Sequence, residues 1–229
     1  MSSERPPVYS ATRRLDPRLV FQGTRRLWAY YRDVPTDAGA VGAAWEVTNA
    51  CDARCGFCGT HELRKRFGER TRPELMRIAD GLGRAGLSYV NLTGGEPLVS
   101  RHIIPIMDRL RGYGVRIMMN TNGSRLAELA VDLAPRLSIV TVSLDSLDPD
   151  EHDRVRVKPG LTRLIEEGIE ALRRQPGGDQ VVIRIRSIVA PWNFRELVAY
   201  TEAWRHRVDE VCFQPLQDGG ADDIHRGEA

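Results

Sequence analysis

No apolar run in these 229 residues reaches the length a membrane span requires. The first ten residues, MSSERPPVYS, contain no apolar segment of the secretory type. There is no excess of charge of either sign: the formal net charge is +2, which speaks against a nucleic-acid binder held by bulk electrostatics. Lysine is almost missing, and Lys65 and Lys158 are the only two. Cysteine is scarce, at four residues, and a domain of this size needs no disulfide staples. Internal repeats and low-complexity segments are absent. These absences point to a cytoplasmic protein with no membrane and no nucleic-acid partner. In that reducing compartment cysteines serve metals or catalysis more often than disulfides.

The composition, with 41% hydrophobic and 28% charged residues, is that of a globular chain. Residues 1–41 read as an N-terminal extension, in which Leu19 to Tyr31 has an amphipathic period. From residue 42 short β-prone runs alternate with stretches of helical period. The runs are Ala43–Thr48, Tyr89–Leu92, Arg116–Met119, Ser138–Val142, Val181–Val189 and Glu210–Phe213. The helical stretches are Arg72–Arg84, Ile103–Arg111, Arg125–Leu133, Leu161–Arg174 and Phe194–Arg205. Six strands and five helices with short connections predict right-handed βαβ units and a parallel α/β sheet. A core domain is expected over residues 42–217 and a tail over 218–229, with room for a loop after the sixth strand but hardly for a sixth packed helix. In such folds ligands bind at the carboxyl ends of the strands.

The chemistry concentrates there. Cys51, Cys55 and Cys58 form C-x3-C-x2-C directly after the first strand, while Cys212 stands alone on the sixth and reads as a small buried hydrophobe. Three thiolates on one tight loop can face one centre, and an iron–sulfur cluster held by three cysteines keeps one iron open for another ligand. With His61 three residues on, the same cysteines could instead make a structural Cys3His zinc site in a non-catalytic α/β binding module.

Four further segments stand at strand ends in order: Thr93-Gly94-Gly95-Glu96-Pro97-Leu98; Asn120-Thr121-Asn122-Gly123; Ser143-Leu144-Asp145-Ser146 with Asp150 to Arg156; and Val182 to Arg186. With the cysteine spacing and the aromatic Phe57 before the third cysteine, this pattern resembles the radical S-adenosylmethionine (radical SAM) superfamily over about residues 42–217. The resemblance implies a partial TIM-type (β/α)6 barrel, either a minimal core or one truncated after strand 6. It implies a [4Fe–4S] cluster on Cys51, Cys55 and Cys58, S-adenosyl-L-methionine (SAM) on the open iron, and reductive cleavage to methionine and a 5′-deoxyadenosyl radical that abstracts hydrogen from an unidentified substrate. An external electron donor of flavodoxin or ferredoxin type is implied as well.

The residues read the same way with their duller alternatives beside them. Gly94 and Gly95 allow close backbone approach to the methionyl ammonium, Glu96 sets a carboxylate near that cation and Pro97 stiffens the turn; a plain strand-to-helix turn is the alternative. Ser143 and Asp145 suit ribose hydroxyls, or helix capping. Asn120 and Thr121 face the same mouth, or form an ordinary turn. Phe57 suits the adenine, or the core. Arg184 and Arg186 share one side of their strand, where a SAM carboxylate, an anionic substrate or core acids would partner them. His152 and Arg154 to Arg156 read as a polar loop leading into a helix. Gly81-Leu82-Gly83-Arg84-Ala85-Gly86 matches the dinucleotide fingerprint G-x-G-x-x-G, but it closes a helix and precedes a strand, so no nucleotide role is expected.

Overall fold

A computed structural model describes residues 41–58, 69–191 and 193–216. The expected Leu19–Tyr31 helix, His61 and the tail therefore lie outside the described residues.

The alternating strands pair as one six-stranded sheet of order β1-β2-β3-β4-β5-β6, every neighbour parallel. The strands are β1 (Gly42–Thr48), β2 (Tyr89–Gly94), β3 (Arg116–Thr121), β4 (Leu137–Ser143), β5 (Val182–Val189) and β6 (Glu210–Pro215). The register aligns side chains of like character across the sheet. Trp45, Leu92, Met119, Val140 and Ile183 form one continuous row, all buried. One residue further on, Asn120, Thr141, Arg184 and Glu210 form the adjacent row on the opposite face. A one-residue slip would exchange the two rows, so the apolar pattern fixes the register.

The apolar face is covered by the helices α1 (Arg72–Arg84), α2 (Ile103–Gly112), α3 (Leu126–Leu133), α5 (Leu161–Arg174) and α6 (Leu197–Trp204), while α4 (Pro149–Arg156) adds nothing to that core and brings Arg156 to the cavity at the strand ends. Leu75, Ile106, Leu110, Leu126, Leu133, Ile165 and Leu172 supply the other half of the core and are at most 1% exposed. Burying each such side chain contributes about 1.5–3 kcal/mol. In α5, residues 161, 165, 169 and 172 fall on one side at helical spacing, and all are buried there. The polar face, with Thr93, Asn120, Ser143 and Arg186, is the concave inside of a partial barrel. The sheet does not close, and β1 and β6 are its edges.

Helix starts are written locally. Thr71 and Glu74 form a capping box on α1, with Glu74 accepting from the Thr71 amide at 2.8 Å. Asp148 caps α4 by accepting from the Asp150 amide at 3.0 Å, and Pro149 sits where its missing N–H costs nothing. Gly81 and Gly83 lie in and close α1, with Gly86 at φ 69° beyond it, as a helix terminus rather than a nucleotide loop requires. Two readings are corrected. The Pro149–Arg156 segment is a complete helix, not a loop leading into one. Cys212 is only half-buried on the edge strand β6 rather than fully buried. Among the described residues no helix is long and apolar enough to cross a membrane.

Candidate active site

The three cysteines follow β1 on a loop that leans against the ends of the next four strands. A cavity of about 170 Å³ is lined there by Cys51, Ala53, Cys55, Phe57 and Cys58 from that loop. Its other walls are Thr93 to Glu96 from β2, Asn120 to Asn122 from β3, Ser143 from β4, Arg186 from β5 and Arg156 from α4. Of the residues that the resemblance assigned to the cluster or to SAM, all line this cavity except Pro97 and Asp145. Pro97 is buried in the short 3-10 turn Pro97–Val99 behind the cavity. A larger hollow of about 700 Å³ follows the outer edge of β1 and touches none of these residues.

Gly94 and Gly95 are required by the protein itself. A Cβ on Gly94 would stand 2.3 Å from the Thr48 carbonyl oxygen, and one on Gly95 would stand 2.2 Å from that of Ala50. The Gly95 and Glu96 amides donate to those carbonyls, each at 2.8 Å. The glycines therefore let the end of β2 press against the chain just before Cys51, which sets where the cysteine loop begins.

Glu96 is 1% exposed, and its carboxylate is held from three sides. It accepts from the Leu98 amide at 3.0 Å, the Thr121 hydroxyl at 2.7 Å and the Asn122 amide at 2.6 Å. Burial pushes its carboxyl up to about 7, against those three donors. Glu96 is thus a tie between β2 and β3 beneath the cavity. Thr121 is engaged in the same tie.

The cysteine loop is clipped at a second point by Asp52. Its carboxylate accepts from Asn122 Nδ2 at 2.8 Å and Ser124 Oγ at 2.7 Å, and it pairs with Lys158 Nζ at 3.1 Å. Burial works to raise this carboxyl, but the donors of Ser124, Asn122 and Lys158 outweigh it and hold the group below the usual carboxylate range. One of the chain's two lysines is spent on this loop.

Asp145 departs from the expected ribose contact. It is fully buried and turned away from the cavity: Oδ2 accepts from Arg156 Nε at 2.7 Å and Oδ1 from the Ile188 amide at 2.9 Å. Its own amide donates to His152 Nδ1 at 3.0 Å. Burial holds His152 down to about 4, so the ring is neutral, and its Nε2 has no hydrogen-bond partner among the described residues.

Arg156, read from the sequence only as part of a polar loop leading into a helix, stands in the wall of the cavity. Its side chain is buried. Beyond Asp145, its Nη1 lies 3.9 Å from Cys55 Sγ, its guanidinium stands 5.1 Å over the Phe57 ring, and its carbonyl accepts from the Arg54 amide at 3.2 Å. The available signal was the position of Arg156 inside a segment that already matched the resemblance. Burial pushes the Cys55 thiol up, and the Arg156 charge opposes it.

The two β5 arginines have different fates. Arg184 pairs across the strands with Glu210 at 2.6 Å, the core-acid alternative. Arg186 reaches the cavity wall, where burial and then the like charges of Arg156 and Arg184 lower its pKa. A guanidinium so placed favours an anion.

Comparison with known proteins agrees with this geometry. The sequence profile of the Radical SAM superfamily matches residues 45–185, more than half of the chain. Over 128 residues the chain is 42% identical to a probable GTP 3',8-cyclase of Thermococcus kodakarensis, covering 54% of this chain and 41% of that protein. Over 168 residues it is 32% identical to a GTP 3',8-cyclase of Rhodopseudomonas palustris, covering 70% and 47%. The chain thus spans less than half the length of these curated relatives. Among solved structures, Streptococcus suis SuiB bound to S-adenosylmethionine superposes with a TM-score of 0.63 at 16% identity, over 89% of this chain and 47% of that one. Methylornithine synthase superposes with a TM-score of 0.56 at 14% identity, over 89% and 61%. At these identities the likeness is one of fold, the partial TIM-type barrel.

Proposed function

The chain belongs to the radical SAM superfamily, and on that premise we propose that residues 42–217 are a radical SAM core acting on a purine nucleoside triphosphate. Cys51, Cys55 and Cys58 would hold a [4Fe–4S] cluster, with SAM beside it. When bound, these groups supply one electron and a hydrogen-abstracting 5′-deoxyadenosyl radical, with methionine as by-product.

The observation that carries the reading is the shared cavity: three soft sulfur donors and residues from the ends of β2 to β5 converge on one space. The donor set fits the cluster. Buried Cys55 disfavours a bare thiolate, a cost that bound iron offsets. Among the described residues no three His, Cys, Asp or Glu side chains converge closely enough for a single ion.

The chain's own residues position and exclude. Since the Gly95 and Glu96 amides serve Thr48 and Ala50, an ammonium group at this turn would meet carbonyl oxygens. Glu96 keeps that turn fixed to β3. Asn120 and Ser143 offer hydrogen bonds to a ribose, Phe57 offers its ring to an adenine, and Arg186 offers its cation to a carboxylate or phosphate. The nucleotide substrate rests on the relatives' names at 32–42% identity and on that cationic wall. The electron would come from a flavodoxin- or ferredoxin-type donor.

The test is anaerobic reconstitution with iron and sulfide, then dithionite and SAM with and without GTP. The expected result is 5′-deoxyadenosine from the parent, faster with GTP, and none from a Cys51/Cys55/Cys58→Ala triple variant. A colourless protein holding one zinc would overturn the reading in favour of a binding module.

A further inference from the structure

We propose that the Asp145–Arg156 pair sets the reduction potential of the iron–sulfur centre, Arg156 raising it and Asp145 restraining that rise. The inference rests on the reading of Cys51, Cys55 and Cys58 as cluster ligands.

The pair is an oriented dipole. Arg156 gives Nε to Asp145 on one side and turns Nη1 toward Cys55 Sγ on the other, so its positive end faces the sulfur and its negative end lies behind. Both side chains are buried, at 9% and 0% exposure, so water screens their charges only weakly. One-electron reduction adds a negative charge at the centre. A fixed cation beside a ligand sulfur stabilises the reduced form, and an N–H directed at that sulfur does the same. A carboxylate further back opposes both with less effect.

The surrounding structure keeps the pair in place. His152 and Ile188 hold both ends of Asp145, and the Arg54 amide holds the Arg156 carbonyl to the cysteine loop. The helix that delivers Arg156 ends on Val157 in the left-handed region (φ 50°, ψ 47°). Val157 is the only non-glycine residue with positive φ among those described, and it is β-branched. Such a conformation persists only where its surroundings over-determine it. Arg156 is a positioning and tuning residue here, with no part in bond making.

The test is a redox titration of the reconstituted chain without SAM, followed by electron paramagnetic resonance, alongside iron and sulfide content. At equal iron content, Arg156→Gln should show about a tenfold lower ratio of reduced to oxidised centre at a fixed potential, or about 59 mV for one electron. Asp145→Asn should move the midpoint the opposite way, and Arg156→Lys should fall between Arg156→Gln and the parent. A purely structural role would not give opposite signs. If either single variant loses iron, Asp145→Asn/Arg156→Gln decides, because it buries no unpaired charge; its midpoint should lie below that of the parent. Midpoints equal to the parent's, or shifted in one common direction by both single changes, overturn the proposal. A parent that binds no iron overturns the cluster reading itself.

Discussion

Arg156 lies eleven residues beyond Asp145 in the chain, and its Nε donates to Asp145 Oδ2 at 2.7 Å with both side chains buried. Removing one partner strands the other. Asp145→Ala should destabilise the unloaded chain by about 3–5 kcal/mol, and Asp145→Ala/Arg156→Met by clearly less, because the double change leaves no buried charge. Urea unfolding of the parent, the single and the double variant measures the difference. Equal losses in single and double variants would contradict this account of the pair.

Glu96 and His152 make opposite demands on pH. The folded Glu96 carboxyl titrates near 7 instead of 4.5, so the folded state binds its proton more readily and Glu96 lowers stability as pH rises from 4.5 to 7. The folded His152 ring titrates near 4 instead of 6.5, so its contribution is complete above 6.5 and is lost as pH falls toward 4. Over the shared window the two slopes largely cancel. Relative to the parent, Glu96→Gln should make stability rise more steeply between pH 4.5 and 6.5, and His152→Asn should make it fall. Denaturation midpoints at several pH values test both signs.

Val157 is 53% exposed, so changing it forfeits little burial. Val157→Gly removes the left-handed strain and should stabilise the chain by about 1 kcal/mol, the relief being offset in part by glycine's greater freedom when unfolded. A raised urea midpoint with an unchanged slope is the expected signature.

Gly95→Ala brings a Cβ to 2.2 Å from the Ala50 carbonyl oxygen, a backbone atom that cannot step aside alone. The cost should be at least about 1–3 kcal/mol. Because the displaced chain runs straight into Cys51, iron uptake on reconstitution should also fall. Gly81→Ala, in α1 with open space around it, should do neither.

The strands were legible because apolar and polar residues alternate in them, as in Ile183, Arg184, Ile185 and Arg186, with one face toward helices and the other toward the cavity. The Pro149–Arg156 helix was not, because it buries His152 and Arg156 where an amphipathic helix would bury leucines; its pattern carries no apolar period. Gly94 and Gly95 were legible as a close approach, but what they approach is the backbone of Thr48 and Ala50. Asp145 stood in a segment that invited a ligand, while its partner sat on the following helix. A contact made by two polar residues leaves no periodic trace in a sequence.

The strand order, each strand beside its chain neighbour, also sets a timetable. The cysteine loop follows the first strand, whereas Arg156, whose guanidinium reaches Cys55, lies 101 residues later. At ribosomal rates of about 5–20 residues per second, the three thiols emerge roughly 5–20 s before their cover is synthesised. During biosynthesis the cysteines are thus open to metal delivery, and to oxidation, well before the fold encloses them.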